Sequence, residues 1–163
     1  MNQDLDTTMK YQENLKKNKF MSAALKEAQK AADIDEVPVG AVVVYQDKII
    51  ARAHNERESK QIFHGHAEFL AMMKAQKKLK SWRLEDCEIY VTMEPCPMCA
   101  GAMIQSRVKK VYYGVSDPKS GVASSICDLF SLPFNHKVET EGLLMQEESE
   151  KMLKAFFRKL RKK

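Results

Sequence analysis

The sequence predicts an α/β fold, a three-layer α/β/α sandwich around a mixed five-stranded sheet. Helical and extended periodicities alternate along most of the 163 residues, and the extended runs are short and rich in β-branched residues. Their order is helix, two strands, helix, strand, helix, strand, loop, strand, helix, which favours a mixed sheet with helices on both faces.

Residues 1–17 are polar and carry few side chains that would anchor them. They are expected to form a frayed lead-in, with a single domain over residues 18–163. From Asn18 onward Phe20, Met21, Ala24, Leu25, Ala28 and Ala31 recur at helical spacing, until residues 33–38 break the pattern. Residues 39–45 and 49–53 are extended runs around a turn at 46–48 and predict a hairpin. A second helix is expected to begin near His66, just past Gly65, because Ala67, Leu70, Ala71, Met72, Ala75 and Leu79 keep an apolar stripe. Residues 88–93 form the third strand. Pro95 and Pro97 suit only the first turn of a helix, so the third helix is expected to start at PCPMC and run to about Ser106. Residues 108–115 are the fourth strand, 116–136 a long connection, 138–144 the fifth strand and 146–163 a basic helix.

The apolar fraction of 44% and charged fraction of 30% are those of a globular chain, which argues against disorder and against a membrane class. The first residues lack the apolar run of a signal peptide, and no stretch approaches the roughly 18 unbroken apolar residues of a spanning helix. The cytoplasm is the expected compartment. Four cysteines are too few for a disulfide scaffold, so the pair Cys96 and Cys99 asks for a chemical explanation. A net charge of +5 is compatible with a nucleic-acid partner without requiring one.

His66, Ala67 and Glu68 open one expected helix, and Cys96 and Cys99 open another. Two cysteines three apart in a first turn put both sulfurs on one side, where the positive helix end favours thiolates. One imidazole and two thiolates make three zinc ligands; structural zinc sites are normally closed by four, whereas catalytic ones keep a place for water. Glu68, two residues after the histidine, is near enough to exchange protons with that water without being a ligand. Hydrolytic deamination needs this division of labour, and HxE followed by PCxxC is the known signature of zinc-dependent deaminases, matched here. A lone CxxC would also suit a redox pair or a structural knuckle, and Cys87 or Cys127 as a fourth ligand would close the site. Both are expected to be inert thiols instead. Glu94, just before the PC pair, is expected to play a structural part at the helix start rather than act as a second acid.

Around these motifs the chain resembles the bacterial tRNA-specific adenosine deaminases of the cytidine deaminase superfamily, over residues 20–158. The resemblance rests on EVPVGAVVV at 36–44, HNE centred on Asn55, HAE at 66–68 and YVTMEPCPMCAGAMIQSR at 90–107. Gly114, Asp117, Lys119, Gly121, Asp128, the pair Asn135 and His136, and FFR at 156–158 continue it. HxE and PCxxC are shared by cytidine, cytosine, guanine and riboflavin-pathway deaminases. The segment CAGAMIQSR is what resembles the tRNA enzymes.

The resemblance implies a cytidine deaminase-like fold, one zinc ion per subunit and a homodimer that contacts RNA with both subunits. It implies conversion of adenosine to inosine at the wobble position of a tRNA, that of arginine tRNA with anticodon ACG. It also implies that Asn55 hydrogen-bonds the flipped adenine, that residues 37–40, with Val37 and Gly40, wall its pocket, and that Asp117 and Lys119 lie near the anticodon loop. Ala67, Phe157 and Arg158 are likewise assigned to substrate binding. One departure is visible: where the family commonly has a DPTA-like segment before HAE, this chain has Ile62, Phe63, His64 and Gly65. His64 is open to stacking on a neighbouring base or to no role, and His54 and His136 are expected to be structural, with an RNA contact open for His136. The basic C-terminal run suits phosphate contacts, with a solvated face and a membrane-surface helix as the alternatives. Two rival functions remain at this point, deamination of free guanine or cytosine, and a non-catalytic zinc-stabilised RNA-binding domain.

Overall fold

The computed structural model describes residues 2–163. Its elements are α1 (Asn2–Asp33), β1 (Gly40–Tyr45), β2 (Lys48–His54), α2 (Arg57–Lys60), α3 (Ala67–Leu79), β3 (Cys87–Met93), α4 (Pro97–Gln105), β4 (Lys110–Val115), a 3-10 turn (Leu129–Ser131), β5 (Glu139–Glu141) and α5 (Gln146–Arg161). The strands form one sheet in the order β2-β1-β3-β4-β5. β1 pairs antiparallel with both β2 and β3, whereas β3, β4 and β5 pair parallel. Only β1 therefore runs against the others.

Alternation along the strands sorts the core into two layers. Val42, Val44, Tyr90 and Tyr112 meet Phe20, Met21 and Ala24 of α1 on one face. Ala41, Val43, Ile89, Val91 and Val111 meet Ala67, Ala71, Met72, Met103 and Ile104 of α3 and α4 on the other. With α5 beside α1, the result is the expected three-layer α/β/α sandwich on a mixed sheet. Tyr90 and Tyr112 stack with centroids 4.4 Å apart, and Tyr112 donates its hydroxyl hydrogen to Glu88 at 3.0 Å. Such a stack adds about 0.5–1.5 kcal/mol beyond its buried area. No helix among the described residues is long and apolar enough to cross a membrane.

The expected frayed lead-in differs from the structure, because α1 begins at Asn2 rather than near Asn18. No glycine or proline interrupts residues 2–37, and the ion pairs Asp6–Lys10 and Glu13–Lys17 are spaced i,i+4 along the helix. Lys16 and Lys17 then tie the helix to Asp47 and Glu141 on the sheet. β5 is three residues long instead of seven, ended by Gly142 and by Leu143 and Met145 at positive φ. β4 starts at Lys110, two residues later than expected. The short α2 has no apolar periodicity to announce it, and none of its residues is buried.

Gly40 fixes how closely α1 approaches β1. A Cβ there would stand 2.1 Å from the carbonyl oxygen of Ala24 and 2.3 Å from the amide nitrogen of Ala28. Gly40→Ala is therefore expected to destabilise the fold by about 2 kcal/mol, as overpacking does, with a fall in Tm of roughly 4–8 °C. An unchanged thermal melt would mean that α1 shifts away at no cost.

Candidate active site

The parallel sense of β2, β3 and β4 brings their carboxyl ends to one end of the sheet, and the reversed β1 brings residues 36–39, which precede it, to the same end. A cavity of about 330 Å3 opens there. In α/β sheets this is the usual place for a ligand.

Two helices start at this cavity. His66 is the N-cap of α3, and Cys96 is the N-cap of α4, with Pro97 beginning the helix and Cys99 in its first turn. Neither cap uses its side chain on its own helix, so both are free to face each other. His66 Nδ1 lies 3.5 Å from Cys96 Sγ and 3.6 Å from Cys99 Sγ. All three donor atoms fall within 4.8 Å of one another. Tetrahedral zinc with bonds of about 2.0–2.1 Å to nitrogen and 2.3 Å to sulfur sets a nitrogen–sulfur edge of about 3.5–3.6 Å. The donor set and its spacing both fit that ion. Cys87 and Cys127 are not in the group, which among the described residues has three members.

The electrostatics favour a metal-binding thiolate. Donation from the Cys99 thiol, against the opposing effect of burial, and the neighbouring His66 hold the Cys96 thiol down to about 4. The same contact pushes the Cys99 thiol up, with burial adding to it. The Cys96 contact likewise raises His66. Glu68, in the first turn of α3, is 4% exposed and lines the cavity. Burial raises its carboxyl pKa, with the His66 charge opposing.

Val37, Asn55, Ala67, Asp117 and Lys119 line the cavity together with His66, Glu68 and Cys96. Asn55 donates from Nδ2 to the Val37 carbonyl at 3.2 Å and accepts from the Arg57 amide at 3.1 Å. One N–H and further acceptor capacity remain to it. Asp117 caps its own turn, accepting from the Lys119 and Ser120 amides and the Ser120 hydroxyl. Gly40 is not among the cavity residues; it packs under α1 instead. Phe157 and Arg158 lie on α5, outside the cavity.

Three histidines sit outside the metal-type group. His54 faces the buried Glu27 at 3.3 Å and Glu56 at 3.6 Å. His136 Nε2 lies 2.7 Å from the Val108 carbonyl, a backbone anchor. His64 packs between Phe63 and Phe69 at 5.3 and 5.8 Å between centroids. Sequence reasoning misses Glu36, Arg57, Glu58 and Ser120, which also line the cavity. Glu36 is 1% exposed, accepts from the Ser59 amide through Oε1, and has no partner for Oε2 among the described residues. The signal for it is a charged residue opening the apolar run EVPVGAVVV.

Comparison with known proteins agrees with this geometry. The family model of the MafB19-like deaminases matches residues 15–161. A tRNA-specific adenosine deaminase of Bacillus subtilis (strain 168) is 51% identical over 145 residues, covering 88% of this chain and 90% of the relative. One from Aquifex aeolicus (strain VF5) is 42% identical over 146 residues, covering 89% and 96%. A solved structure from work on A-to-I editing by tRNA:A34 deaminases at the wobble position superimposes with a TM-score of 0.80 at 39% identity, covering 82% of this chain and 98% of that one. The chain belongs to the tRNA-specific adenosine deaminase family.

Proposed function

We propose that the protein hydrolyses the exocyclic amine of adenosine at the wobble position of a tRNA, the arginine tRNA with anticodon ACG, and leaves inosine. The observation that carries this is the meeting of His66, Cys96 and Cys99 at zinc-ligand spacing in the same cavity as the buried Glu68. His66 Nδ1 and the two thiolates would hold one zinc ion per subunit. When bound, the ion supplies the Lewis acidity that brings the pKa of water down to about 7.

Glu68 moves the protons. Its carboxylate takes one from the water as the oxygen attacks C6 and passes it to the adjacent ring nitrogen; it then takes the second from the new C6 hydroxyl and delivers it to the amine as the C6–N bond breaks, so water and adenosine become inosine and ammonia. Burial suits this part, because it brings the carboxyl group closer to the pKa of the groups with which it trades protons. Asn55, already pinned at both ends of its amide, would orient the base with its remaining hydrogen-bonding capacity. Ala67, Val37, Asp117 and Lys119 wall the base in. A base in an anticodon loop enters without the cost of opening a duplex.

Affinity for the anticodon stem-loop is assigned to α5, where Phe157, Arg158, Lys159 and Arg161 follow one another near its end. A homodimer belongs to the same proposal. Exposed Met73 and Trp82, beside the groove between α3 and α4, support it with apolar surface for a second copy. The proposed compartment is the cytoplasm, where tRNA is found.

Inosine formation on an ACG stem-loop, with free guanine, cytosine and cytidine in parallel, tests the function. Inosine in the stem-loop alone is expected; ammonia from a free base without inosine would replace the function with small-molecule deamination. Glu68→Gln should lower kcat by about 10²–10⁴ with zinc content unchanged. His66→Ala should lose the metal as well, and metal analysis separates the two. Neutralising Arg158, Arg161 and Lys162 should weaken stem-loop binding and flatten the slope of log affinity against log salt by about 0.7 for each phosphate no longer neutralised. An unchanged slope would remove α5 from the RNA interface.

A further inference from the structure

Residues 116–128 run from the end of β4 to the 3-10 turn without helix or strand. Yet this stretch supplies Asp117, Lys119 and Ser120 to the cavity. Backbone amides without a ladder need other acceptors, and one side chain provides them. Glu94 is 3% exposed. Its Oε1 accepts from the Asp117 amide at 3.1 Å and from the Ser125 hydroxyl. Its Oε2 accepts from the amides of Ala123, Ser124 and Ser125, each at 3.0 Å. The Val122 amide adds a bond of 3.0 Å to the Pro95 carbonyl. A Cβ on Gly121 would stand 2.3 Å from Glu94 Cδ, so the loop closes tightly around the carboxyl group.

We propose that Glu94 is a positioning residue for the substrate: its carboxylate holds residues 117–125 as one wall of the cavity, and through Asp117, Lys119 and Ser120 decides how the nucleotide sits. This role rests on the deaminase function proposed above. Glu94 itself lines the cavity beside Cys96. Both of its oxygens are occupied by donors from the loop, so it works through the backbone it orders.

Glu94→Gln discriminates between the two halves of the clasp. An amide has one acceptor oxygen; directed at the three amides of residues 123–125, it leaves an NH2 group facing the Asp117 N–H. Donor then opposes donor, and the segment released is the one that carries the cavity residues. Gly121→Ala presses on the same carboxylate, and on the Asp117 carbonyl at 2.6 Å, without changing the charge of Glu94.

Steady-state kinetics on the stem-loop, with zinc content and thermal melts on the same preparations, compare both variants with the unsubstituted chain. KM is expected to rise about tenfold or more in each, with kcat changed less than KM and zinc retained, the pattern left when binding common to ground and transition state is lost. A KM within about twofold of the unsubstituted value in both variants overturns the role. Loss of zinc in step with kcat also overturns it and assigns Glu94 to the start of α4. If Glu94→Gln does not fold, Gly121→Ala decides on the same criteria. No inosine from the unsubstituted chain would overturn the function itself, before any variant is compared.

Discussion

The site depends on two helix N-termini meeting at the carboxyl end of the sheet. His66 caps α3 and Cys96 caps α4, so the partial positive charge of both helix ends converges on the group that must carry thiolate. The approach is possible because the faces beneath are small. Ala67, Ala71 and Ala75 on α3 and Ala100 on α4 are fully buried against the sheet. A larger side chain at any of them would move one helix start and separate donors that lie 3.5 and 3.6 Å apart.

Four glutamates are buried among the described residues, and their partners separate their roles. Glu27 is paired with Lys30 and His54, and although burial opposes them these hold its carboxyl below the usual range. Burial also opposes ionisation of Glu94, but five donors from residues 117–125 overcome it and hold Glu94 low as well. A carboxylate saturated in this way has no oxygen free to accept a proton, which removes Glu94 as a second acid. Glu36 is satisfied at one oxygen only. Glu68 alone combines a raised pKa with a place beside the metal-type group. The difference in environment among otherwise identical side chains therefore supports the proposed assignment of proton transfer to Glu68.

What is legible in the sequence is local. The hairpin, α3 and the start of α4 follow from β-branched runs, an apolar stripe and two prolines, and the ligand types follow from HxE and PCxxC. What is not legible depends on partners distant in sequence. The family resemblance places Gly40 in the pocket wall, yet its missing Cβ serves the backbone of α1. The first half of α1 reads as polar lead-in because its support comes from side-chain pairs along its own surface and from Asp47 and Glu141, not from an apolar face. The loop after β4 has no periodicity at all, because its order comes from one carboxylate more than twenty residues upstream.

The separation of chemistry from charge follows from the same architecture. The cavity lies at one end of the sheet, and Phe157 and Arg158 lie on α5, outside it. Under the proposed function this arrangement makes two independent contributions to recognition. The wall residues discriminate by shape and hydrogen bonding, at a cavity of about 330 Å3 that suits a single base rather than a paired duplex. The basic helix would add salt-dependent attraction that does not depend on which base is presented. A pocket of that size takes one base at a time, so under the proposed function the base must come out of its stack to enter, at a cost of a few kcal/mol where it starts paired. A substrate whose target lies in a single-stranded loop avoids that cost, whereas the same base inside a helix would not.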